Sequence, residues 1–518
     1  MKATKTTTCT ILTVTLTLLA TGCAQVPTKG GLDDVQAMVG DRTGQRVYWR
    51  QGTKEDKQVD ETINSILEHD LSVEQAVTIA LLNNRDLQAT LEELGITQAQ
   101  VVQAGLLKNP TLGVLSRWPS RSVGTGANIE LDLMFDFLDL ALLPIRKRMA
   151  ELQFEQVRLE VAHDTLALIG KTKDAYYHLQ AAGQIYQMRM VTFEASDTSY
   201  ELARRMHEAG NISLLELERE QGLLEQNRIE TGKAELELAQ NREELAQLLG
   251  LYGKALSFKI QPGLPKLPDE EPAAKHLESL AMKQRLDLAA ALRQTQTLAK
   301  SVGLTKNYRF LLISDIGVQT ERELDGTWLT GPQLTLELPI FDQKQAAIAK
   351  AQAQLRQSEH RLWAKAVEIR SQVRQARQRM LAARKLALHY RDVVIPLRET
   401  IVKHTTEEYS YMLVGVFEAI NAREKEYEAY HAYIQSVRDY WIAKTNLSTA
   451  VGGKMQVETS AESDSPNTGQ VIELPLPGNN KKMNHTMPMD MNMDMDMKMP
   501  MNKPMKKPAP SEHDHHTN

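Results

Sequence analysis

The sequence contains two very long stretches of helical periodicity, from about Ile145 to Glu208 and from about Gln343 to Tyr411, with very few glycines or prolines. At about 1.5 Å per residue, the first stretch alone predicts a helix on the order of 95 Å long. Helices of this length cannot bury their apolar residues within one globule, so they need neighbouring helices to cover them. Antiparallel pairing supplies part of that cover, and the remainder predicts an oligomer. A cytoplasmic coiled-coil scaffold would explain the helices, but it would explain neither the export signal at the amino terminus nor the paired strands.

The long helices belong to a unit that occurs twice: a helix, two strands, a long helix, a tip and a return helix. The opening helix of the first unit begins after Ser72, which forms a capping box with Gln75. We predict helices at 71–107, 145–208 and 213–249 and strands at 111–118 and 129–137 in the first unit. The second unit has predicted helices at 273–306, 343–411 (kinked at Pro396) and from the second tip to 450, with strands at 308–319 and 332–342.

The predicted strands have one apolar and one polar face. Ile129, Leu131, Leu133, Phe135 and Phe137 alternate with Glu130, Asp132, Met134 and Asp136. Period-two alternation over nine residues indicates a strand. In a soluble sheet its apolar face would meet a core, whereas in a membrane barrel it would meet lipid.

The amino-terminal residues are typical of an exported protein. Lys2 and Lys5 precede a short apolar stretch that ends at Leu19-Ala20-Thr21-Gly22-Cys23. Small residues before a cysteine resemble the bacterial lipobox, which predicts that residues 1–22 are a signal peptide and that Cys23 is acylated. Ala20 stands where the usual pattern has Leu, so an ordinary signal peptide is the alternative. Ala24, instead of Asp, favours the outer membrane, and residues 23–70 are predicted to be a polar, irregular tether.

Composition excludes several classes of protein. The chain has 61 basic and 66 acidic residues, so no bulk basic surface suggests nucleic-acid binding. The two cysteines, Cys9 and Cys23, both lie near the amino terminus and cannot hold the body together by a disulfide. Beyond the signal there is no run of 18 or more apolar residues, so any membrane crossing is expected to use strands closed into a barrel. No nucleophile elbow, phosphate loop or fixed metal-ligand motif indicates an enzyme.

Residues 454–518 form a low-complexity tail rich in Met, His, Asn, Pro and Lys, which predicts disorder. Thioether sulfur is a soft ligand suited to Cu(I) or Ag(I), and imidazole also accepts Cu(II). Without a fixed spacing the tail suggests loose, transient capture of metal, although a tail without function is the alternative. The candidate metal ligands are Met487, Met489, Met491, Met493, Met495, Met497, Met499, Met501, His485, His513, His515 and His516.

Short motifs in this order resemble the outer-membrane efflux protein family, the TolC-like channels of tripartite pumps. The matching segments lie between residues 70 and 453 and include Asn83-Asn84-Arg85-Asp86-Leu87, Arg285-Leu286-Asp287-Leu288 and Leu336-Glu337-Leu338-Pro339-Ile340-Phe341-Asp342. Glu208-Ala209-Gly210-Asn211-Ile212-Ser213 is similar to the family's helical turn, except that Met206 replaces the usual Arg. The second tip and its return helix resemble the heavy-metal (copper/silver) efflux branch of tripartite RND systems.

The resemblance implies a mainly α fold with a small β part and an internal two-fold repeat. Long antiparallel α-helical hairpins would form a trimeric α-barrel, and four strands from each protomer would contribute to a twelve-stranded transmembrane β-barrel. The helical tips would face a periplasmic adaptor, itself bound to an inner-membrane RND pump, and the channel would conduct passively. The tip residues are Gly210, Asn211, Ser213, Leu413 and Gly415.

In that geometry the polar strand faces point into the lumen. Glu130, Asp132, Asp136, Asp315 and Glu337 would form acidic rings that favour cations. The alternative is that any water-filled barrel has a polar lining. His404, Glu407 and Glu408, before the second tip, would line a closed entrance or simply form a solvated helix face.

Three functions follow from these features. The first is a bacterial outer-membrane, lipid-anchored channel with a large periplasmic part that conducts Cu(I), Ag(I) or other heavy-metal cations. The second is a channel for drugs or other organic compounds, with an incidental tail. The third, of another class, is a metal-sequestering envelope lipoprotein. We assign residues 71–262 and 263–453 to the two efflux repeats.

Overall fold

The computed structural model describes residues 25–118, 127–270, 276–307 and 313–453. It is mainly helical, with one small antiparallel sheet. The helices are α1 (Leu32–Thr43), α2 (Lys54–Leu67), α3 (Val73–Asn83), α4 (Arg85–Ala104), α5 (Phe137–Glu208), α6 (Leu214–Leu249), α7 (Leu277–Gln284), α8 (Leu286–Asn307), α9 (Gln345–His389), α10 (Ile395–Ser410) and α11 (Val416–Val451). The strands are β1 (Thr111–Arg117), β2 (Asn128–Asp136), β3 (Ile313–Arg322) and β4 (Trp328–Leu336).

The predicted repeat of elements is confirmed: α3–α4, β1–β2, α5 and α6 are followed by α7–α8, β3–β4, α9–α10 and α11. The return helices α6 and α11 each have 36 residues. At about 1.5 Å per residue, the 72 residues of α5 make a helix roughly 108 Å long. None of the helices in the described ranges combines the length and apolar character needed to cross a membrane.

Each repeat opens with a helix that is broken where the sequence predicts a continuous one. The first break is at Asn84, whose Oδ1 accepts a hydrogen bond from the Leu87 amide (2.8 Å) and so caps α4. Its Nδ2 donates to the Leu248 carbonyl at 2.9 Å. The second break is at Arg285, between α7 and α8. We call the level of these two breaks the junction.

Both return helices end at the junction in a glycine with a left-handed backbone. Gly250 has a φ of 65° and Gly452 a φ of 92°. A Cβ atom on Gly250 would lie 2.7 Å from the Asn83 carbonyl oxygen, so any other residue would force α3 and α6 apart. In the second repeat, a Cβ atom on Gly452 would lie 3.2 Å from the Gln284 carbonyl oxygen.

The amino-terminal segment is not the irregular tether that its polar composition predicts. It forms α1 and α2, and Val35 and Val39 are fully buried. Trp49 is 2% exposed, and its indole Nε1 donates to a carboxylate oxygen of Glu92 at 3.0 Å. Arg42 donates to the Gly452 carbonyl at 3.1 Å. Leu32, Val35 and Val39 lie on one face of α1 and pack on the body. Polar and charged residues between them make this helical periodicity hard to recognise in the sequence.

Several predicted boundaries shift. The last strand ends at Leu336 rather than near Asp342, so Glu337 lies outside the sheet. Helix α5 begins at Phe137 and contains Pro144 as its eighth residue, where proline removes one backbone hydrogen bond of the helix. Where the sequence predicts a kink at Pro396, the structure has a π-helical turn at Tyr390–Val394 just before it, and Pro396 lies in the first turn of α10.

The main apolar core lies where α5 and α11 pack together, with α3, α6 and the segment after α6 around them. Tyr176 and Tyr440 are the largest fully buried side chains there. The Tyr176 hydroxyl donates to the Leu71 carbonyl at 2.6 Å. Leu71 also pairs with the segment at Ile260, which ties the start of the first repeat to the chain after α6.

Candidate functional site

The four strands form one sheet in the order β1-β2-β3-β4, with every neighbouring pair antiparallel. Because partners in an antiparallel register share a face, the sheet has two chemically distinct surfaces. One surface is apolar and exposed. It consists of Leu112, Val114, Leu133, Phe135, Ile316, Val318, Trp328, Leu334 and Leu336. A soluble chain rarely exposes so large an apolar patch, so this surface requires a nonpolar partner.

The opposite surface contains four of the five predicted lumen acids. Asp136 stands directly opposite Asp315, and Asp132 opposite Gln319. Glu130, on the same face, accepts a hydrogen bond from Gln319. The structure therefore brings Glu130, Asp132, Asp136 and Asp315 together on one surface. The fifth, Glu337, follows the end of β4.

Two of these acids are paired with cations inside the chain. Arg117 lies 3.1 Å from a carboxylate oxygen of Glu130, and Lys108 lies 2.8 Å from one of Asp136. Asp136 also caps α5 by accepting from the Asp139 amide at 2.7 Å. These pairs reduce the net negative charge of the polar face and favour a generally polar lining over a strongly cation-selective ring.

The first helical tip, between α5 and α6, is closed by polar contacts. Gly210 has a φ of 77°, and Asn211 follows it in the turn. Ser213 begins α6: its Oγ accepts from the Glu216 amide at 3.2 Å, and its own amide donates to the Glu216 carboxylate at 2.8 Å. The hydrogen bonds that the Ser213 amide and hydroxyl donate to the Glu216 carboxylate lower the pKa of Glu216. The predicted tip residues therefore lie in one turn.

The second tip, between α10 and α11, is closed differently. Met412 has a φ of 60° and is 93% exposed. Tyr411 and Leu413 are also exposed, and Gly415 precedes the first turn of α11. The two tips thus offer different chemistry: one is rich in hydrogen-bonding groups and the other presents three large apolar side chains.

His404, Glu407 and Glu408 lie on an exposed face of α10. The His404 Nδ1 is 3.1 Å from a carboxylate oxygen of Glu407, an interaction within one helical turn. This arrangement within one chain fits the interpretation of a solvated helix face.

Two buried polar side chains, Arg285 and Asp174, were not predicted as site residues. Arg285 is only 9% exposed and forms two hydrogen bonds with Asp287. Asp174 of α5 faces Asn446 of α11, and burial raises the pKa of Asp174 to about 7. The motif around Arg285 could have indicated its role, whereas nothing in the sequence distinguishes Asp174 from other acids.

The metal and lipid predictions involve residues that the structure does not describe. Cys23 and the Met and His residues between 485 and 516 lie outside the described ranges. Among the residues that are described, no three His, Cys, Asp or Glu side chains are grouped closely enough to hold a metal ion.

Residues 76–251 match the family model described as "Outer membrane efflux protein". Over these residues the chain is similar to the outer membrane efflux protein family. The matched region includes β1–β2, α5 and α6, which together contain half of the sheet and the first helical tip.

Proteins that are similar to this chain have names that refer to different substrates. The toluene efflux pump outer membrane protein TtgC of Pseudomonas putida is 26% identical over 307 residues, covering 53% of this chain. The match spans 60% of the length of TtgC. The cobalt-zinc-cadmium resistance protein CzcC of Cupriavidus metallidurans is 22% identical over 401 residues, covering 74% of this chain and 90% of CzcC.

Solved structures support the same fold. A crystal structure of CusC, described in connection with transmembrane channel formation, superposes with a TM-score of 0.60 at 20% identity. The superposition covers 74% of this chain and 93% of CusC. At this level of identity the likeness concerns the fold alone.

Proposed function

We propose that the chain is the outer-membrane channel of a tripartite efflux system and conducts its substrate passively from the periplasm to the exterior. The observation that carries this proposal is the amphipathic sheet: its exposed apolar face suits lipid, and its polar face suits water. The long helical hairpins on the same chain are suited to a periplasmic conduit, on the order of 100 Å long by the length of α5.

The sheet also supports a homotrimer. Its outer strands, β1 and β4, each have one edge without a neighbour in the sheet order. Open strand edges are not tolerated in lipid, so further copies must pair with them. Three copies would close a twelve-stranded transmembrane β-barrel, continued by a trimeric α-barrel made of the helical hairpins.

The tips at Gly210 and Leu413 would contact a periplasmic adaptor, and the adaptor would connect the channel to an inner-membrane RND pump. The pump would supply the energy, because passive conduction needs no catalytic residue in this chain. Acylation of Cys23 would add an anchor in the outer membrane. Since α1 already packs on the body from Leu32, the tether would be limited to residues 23–31.

The substrate we favour is Cu(I), Ag(I) or another heavy-metal cation. The Met- and His-rich tail supports this choice through the softness of its thioether ligands, and the name of CzcC is consistent with it. The name of TtgC favours the second candidate, an organic-compound channel in which the tail is incidental. The third candidate is a metal-sequestering lipoprotein, because a metal-binding tail would protect the cell envelope from metal ions without a channel.

A reversible block of the lumen distinguishes these functions. Gly331 lies on the polar face opposite Gln319, with open space around it, and Thr330 lies on the apolar face. A deletion strain would be complemented with Gly331→Cys or Thr330→Cys, treated with a bulky thiol reagent that attaches through a reducible disulfide, and tested for tolerance to copper, silver, toluene and antibiotics. A second pair of strains would carry the full chain or a chain lacking residues 481–518.

The favoured function predicts that labelling Gly331→Cys abolishes copper and silver tolerance, that labelled Thr330→Cys retains it, and that tail deletion reduces it partly. Loss of toluene or antibiotic tolerance with unchanged metal tolerance would instead identify an organic-compound channel. Metal tolerance that depends on the tail and not on the label would identify a sequestering protein. If none of these variants alters tolerance to any of these compounds, the efflux proposal is wrong.

A further inference from the structure

A cavity of about 340 Å³ lies at the junction, among the ends of several helices. Its wall is formed by the end of α1, the middle of α5, the start of α8 and the end of α11. We call it the junction cavity. It is separate from the amphipathic sheet and from both helical tips, because none of its lining residues belongs to them.

Basic side chains dominate the charge of the junction cavity. Its basic lining residues are Arg42 of α1, His163 and Lys173 of α5, and Arg285. Glu74 is the one acid among the described residues of the lining. The side chain of Glu74 is exposed, whereas the basic residues are half-buried or buried. A pocket with this balance of charge attracts anions.

Two of these cations have no acidic partner in the described part of the chain. Arg285 is paired with Asp287, but neither Arg42 nor Lys173 forms an ion pair with a described residue, and Lys173 forms no hydrogen bond with one. Burial lowers the pKa of the Arg42 guanidinium. That guanidinium donates to three backbone carbonyls, those of Met38, Gln284 and Gly452. A cation held partly out of water without a carboxylate is stabilised when an anion binds beside it.

The last residues that the structure describes, Gly452 and Gly453, form part of the wall of the junction cavity. Gly453 has a φ of 129°. Its amide donates to the Ser448 carbonyl and its carbonyl accepts from the Ser448 hydroxyl, both at 3.0 Å. A Cβ atom on Gly453 would lie 2.8 Å from the Cβ atom of Arg42. The point from which the chain continues is therefore fixed beside Arg42.

The residues that follow Gly453 in the sequence have the charge that the cavity lacks. Residues 455–480 contain four acids and no Lys, Arg or His. Three of these acids, Glu458, Glu462 and Asp464, lie within residues 458–464, which we call the acidic segment. The acidic segment precedes the Met- and His-rich residues, so soft-metal binding does not account for it.

The chain is long enough for the acidic segment to reach the cations. At about 3.5 Å per extended residue, Glu458 can lie up to roughly 17 Å from Gly453. Lys173 and His163 mark the extent of the cavity along α5. They are ten residues apart, which is about 15 Å by helical rise. The acidic segment itself spans up to roughly 20 Å when extended, so it can follow the whole lining.

We propose that the acidic segment binds in the junction cavity of its own chain, with its carboxylates paired to Lys173 and Arg42. The occupant is this chain because Gly453, from which the segment continues, belongs to the wall of the cavity. A segment tethered beside its site has an effective concentration on the order of millimolar, which favours it over more dilute free anions. This docking site is an addition to the proposed channel function and does not depend on the identity of the substrate.

The reactivity of Lys173 towards an acetylating reagent tests this docking in the full-length protein. A lysine amine paired with a carboxylate reacts slowly, because the pair favours the protonated form. We expect the triple variant Glu458→Gln, Glu462→Gln and Asp464→Asn to be acetylated at Lys173 about tenfold faster than the parent, as measured by mass spectrometry of peptides. Lys171, which is exposed on the same helix, is the matched control and should react equally in both proteins.

Zero-length cross-linking tests which groups are paired. A carbodiimide joins a lysine amine to a carboxylate only where the two are in contact, so we expect peptides that link Lys173 to the acidic segment. The Lys173→Gln variant should lack these peptides, and the control variant Lys171→Gln should retain them. When isotopically labelled and unlabelled chains are assembled together, each cross-link should contain a single isotope, because the segment binds within its own chain.

Several results would overturn the proposal. Equal acetylation of Lys173 in the parent and the triple variant would do so, whether the amine is accessible in both or covered in both. Inorganic phosphate should protect Lys173 only in the triple variant, and equal protection in the parent would show a cavity open to free anions instead. Cross-links of mixed isotope would assign the cavity to the acidic segment of another copy.

Discussion

The guanidinium of Arg285 holds the carboxylate of Asp287 through two hydrogen bonds, of 2.9 Å from Nε and 2.7 Å from Nη2. Both side chains are largely buried at the break between α7 and α8. Burial raises the pKa of Asp287, but the hydrogen bonds and charge of Arg285 outweigh burial and leave the pKa below its ordinary value. The same guanidinium reaches Gln372 and the Ala450 carbonyl, so one side chain connects three helical segments.

Replacing Arg285 alone should therefore be severe. Arg285→Met leaves the Asp287 carboxylate buried with Lys365, at 3.6 Å, as its remaining ion-pair partner among the described residues. Removing one partner of a buried pair typically costs about 3–5 kcal/mol, which thermal unfolding followed by circular dichroism would detect. The double variant Arg285→Met with Asp287→Leu should recover much of the lost stability. A single variant as stable as the parent would show that the pair contributes little.

Asp174 should make the stability of the protein depend on pH. Its carboxyl group is protonated in the folded chain up to a pH of about 7, whereas its ordinary pKa is 3.8. Between these values the folded state binds more protons than the unfolded state, so stability falls as the pH rises through this window. At roughly 1.4 kcal/mol per pKa unit the upper limit of this loss is roughly 4 kcal/mol.

Asp174→Asn should keep the contact with Asn446 and remove this pH dependence, which denaturant titrations at pH 5 and pH 8 would measure. Asp164→Asn on the same helix is the matched control, because Asp164 is exposed. Equal slopes of stability against pH for the parent and the Asp174→Asn chain would refute the assignment.

The sequence predicts those parts of the fold that depend on local pattern. The long helices, the tip at Gly210 and the alternation in β2 follow from residues that are close together in the chain. The breaks at Asn84 and Arg285 depend on contacts with residues more than 150 positions away, which local periodicity does not contain. The packing of α1 on the body and the burial of Asp174 against Asn446 are of the same kind.

For the site residues, too, the sequence predicts what depends on local alternation and misses what depends on long-range contacts. Strand register placed Glu130, Asp132, Asp136 and Asp315 on one face, as alternation predicts. Glu337 was misassigned because Leu338 and Ile340 continue the alternation after the sheet ends. The cations that neutralise Glu130 and Asp136 are brought in by the fold, and no spacing rule identifies them.

The capping box at the first tip gives a local prediction. Ser213→Ala removes the acceptor for the Glu216 amide and should cost about 1 kcal/mol in the first turn of α6. Hydrogen exchange of the amides at 215–217 should therefore accelerate about fivefold, while the junction amides remain unchanged. Ser410→Ala at the second tip is the control, since the Ser410 hydroxyl donates to the Glu407 carbonyl and caps no helix start. Similar acceleration in both variants would contradict a specific cap at Ser213.

Two adjacent residues of β3 test which face of the sheet meets lipid. Val318 is 52% exposed on the apolar face, and Gln319 lies beside Glu130 on the polar face. A lysine on the lipid face of a membrane strand costs about 2–4 kcal/mol near the bilayer midplane, whereas a lysine on the water-facing side is tolerated. Val318→Lys should therefore reduce the amount of trimer recovered from outer membranes after urea washing, and Gln319→Lys should not. The two variants add the same charge to the same strand, so a general effect on export would affect both equally. If Gln319→Lys were lost from the membrane and Val318→Lys retained, the polar face would be the one in contact with lipid and the orientation of the sheet in the channel would have to be reversed.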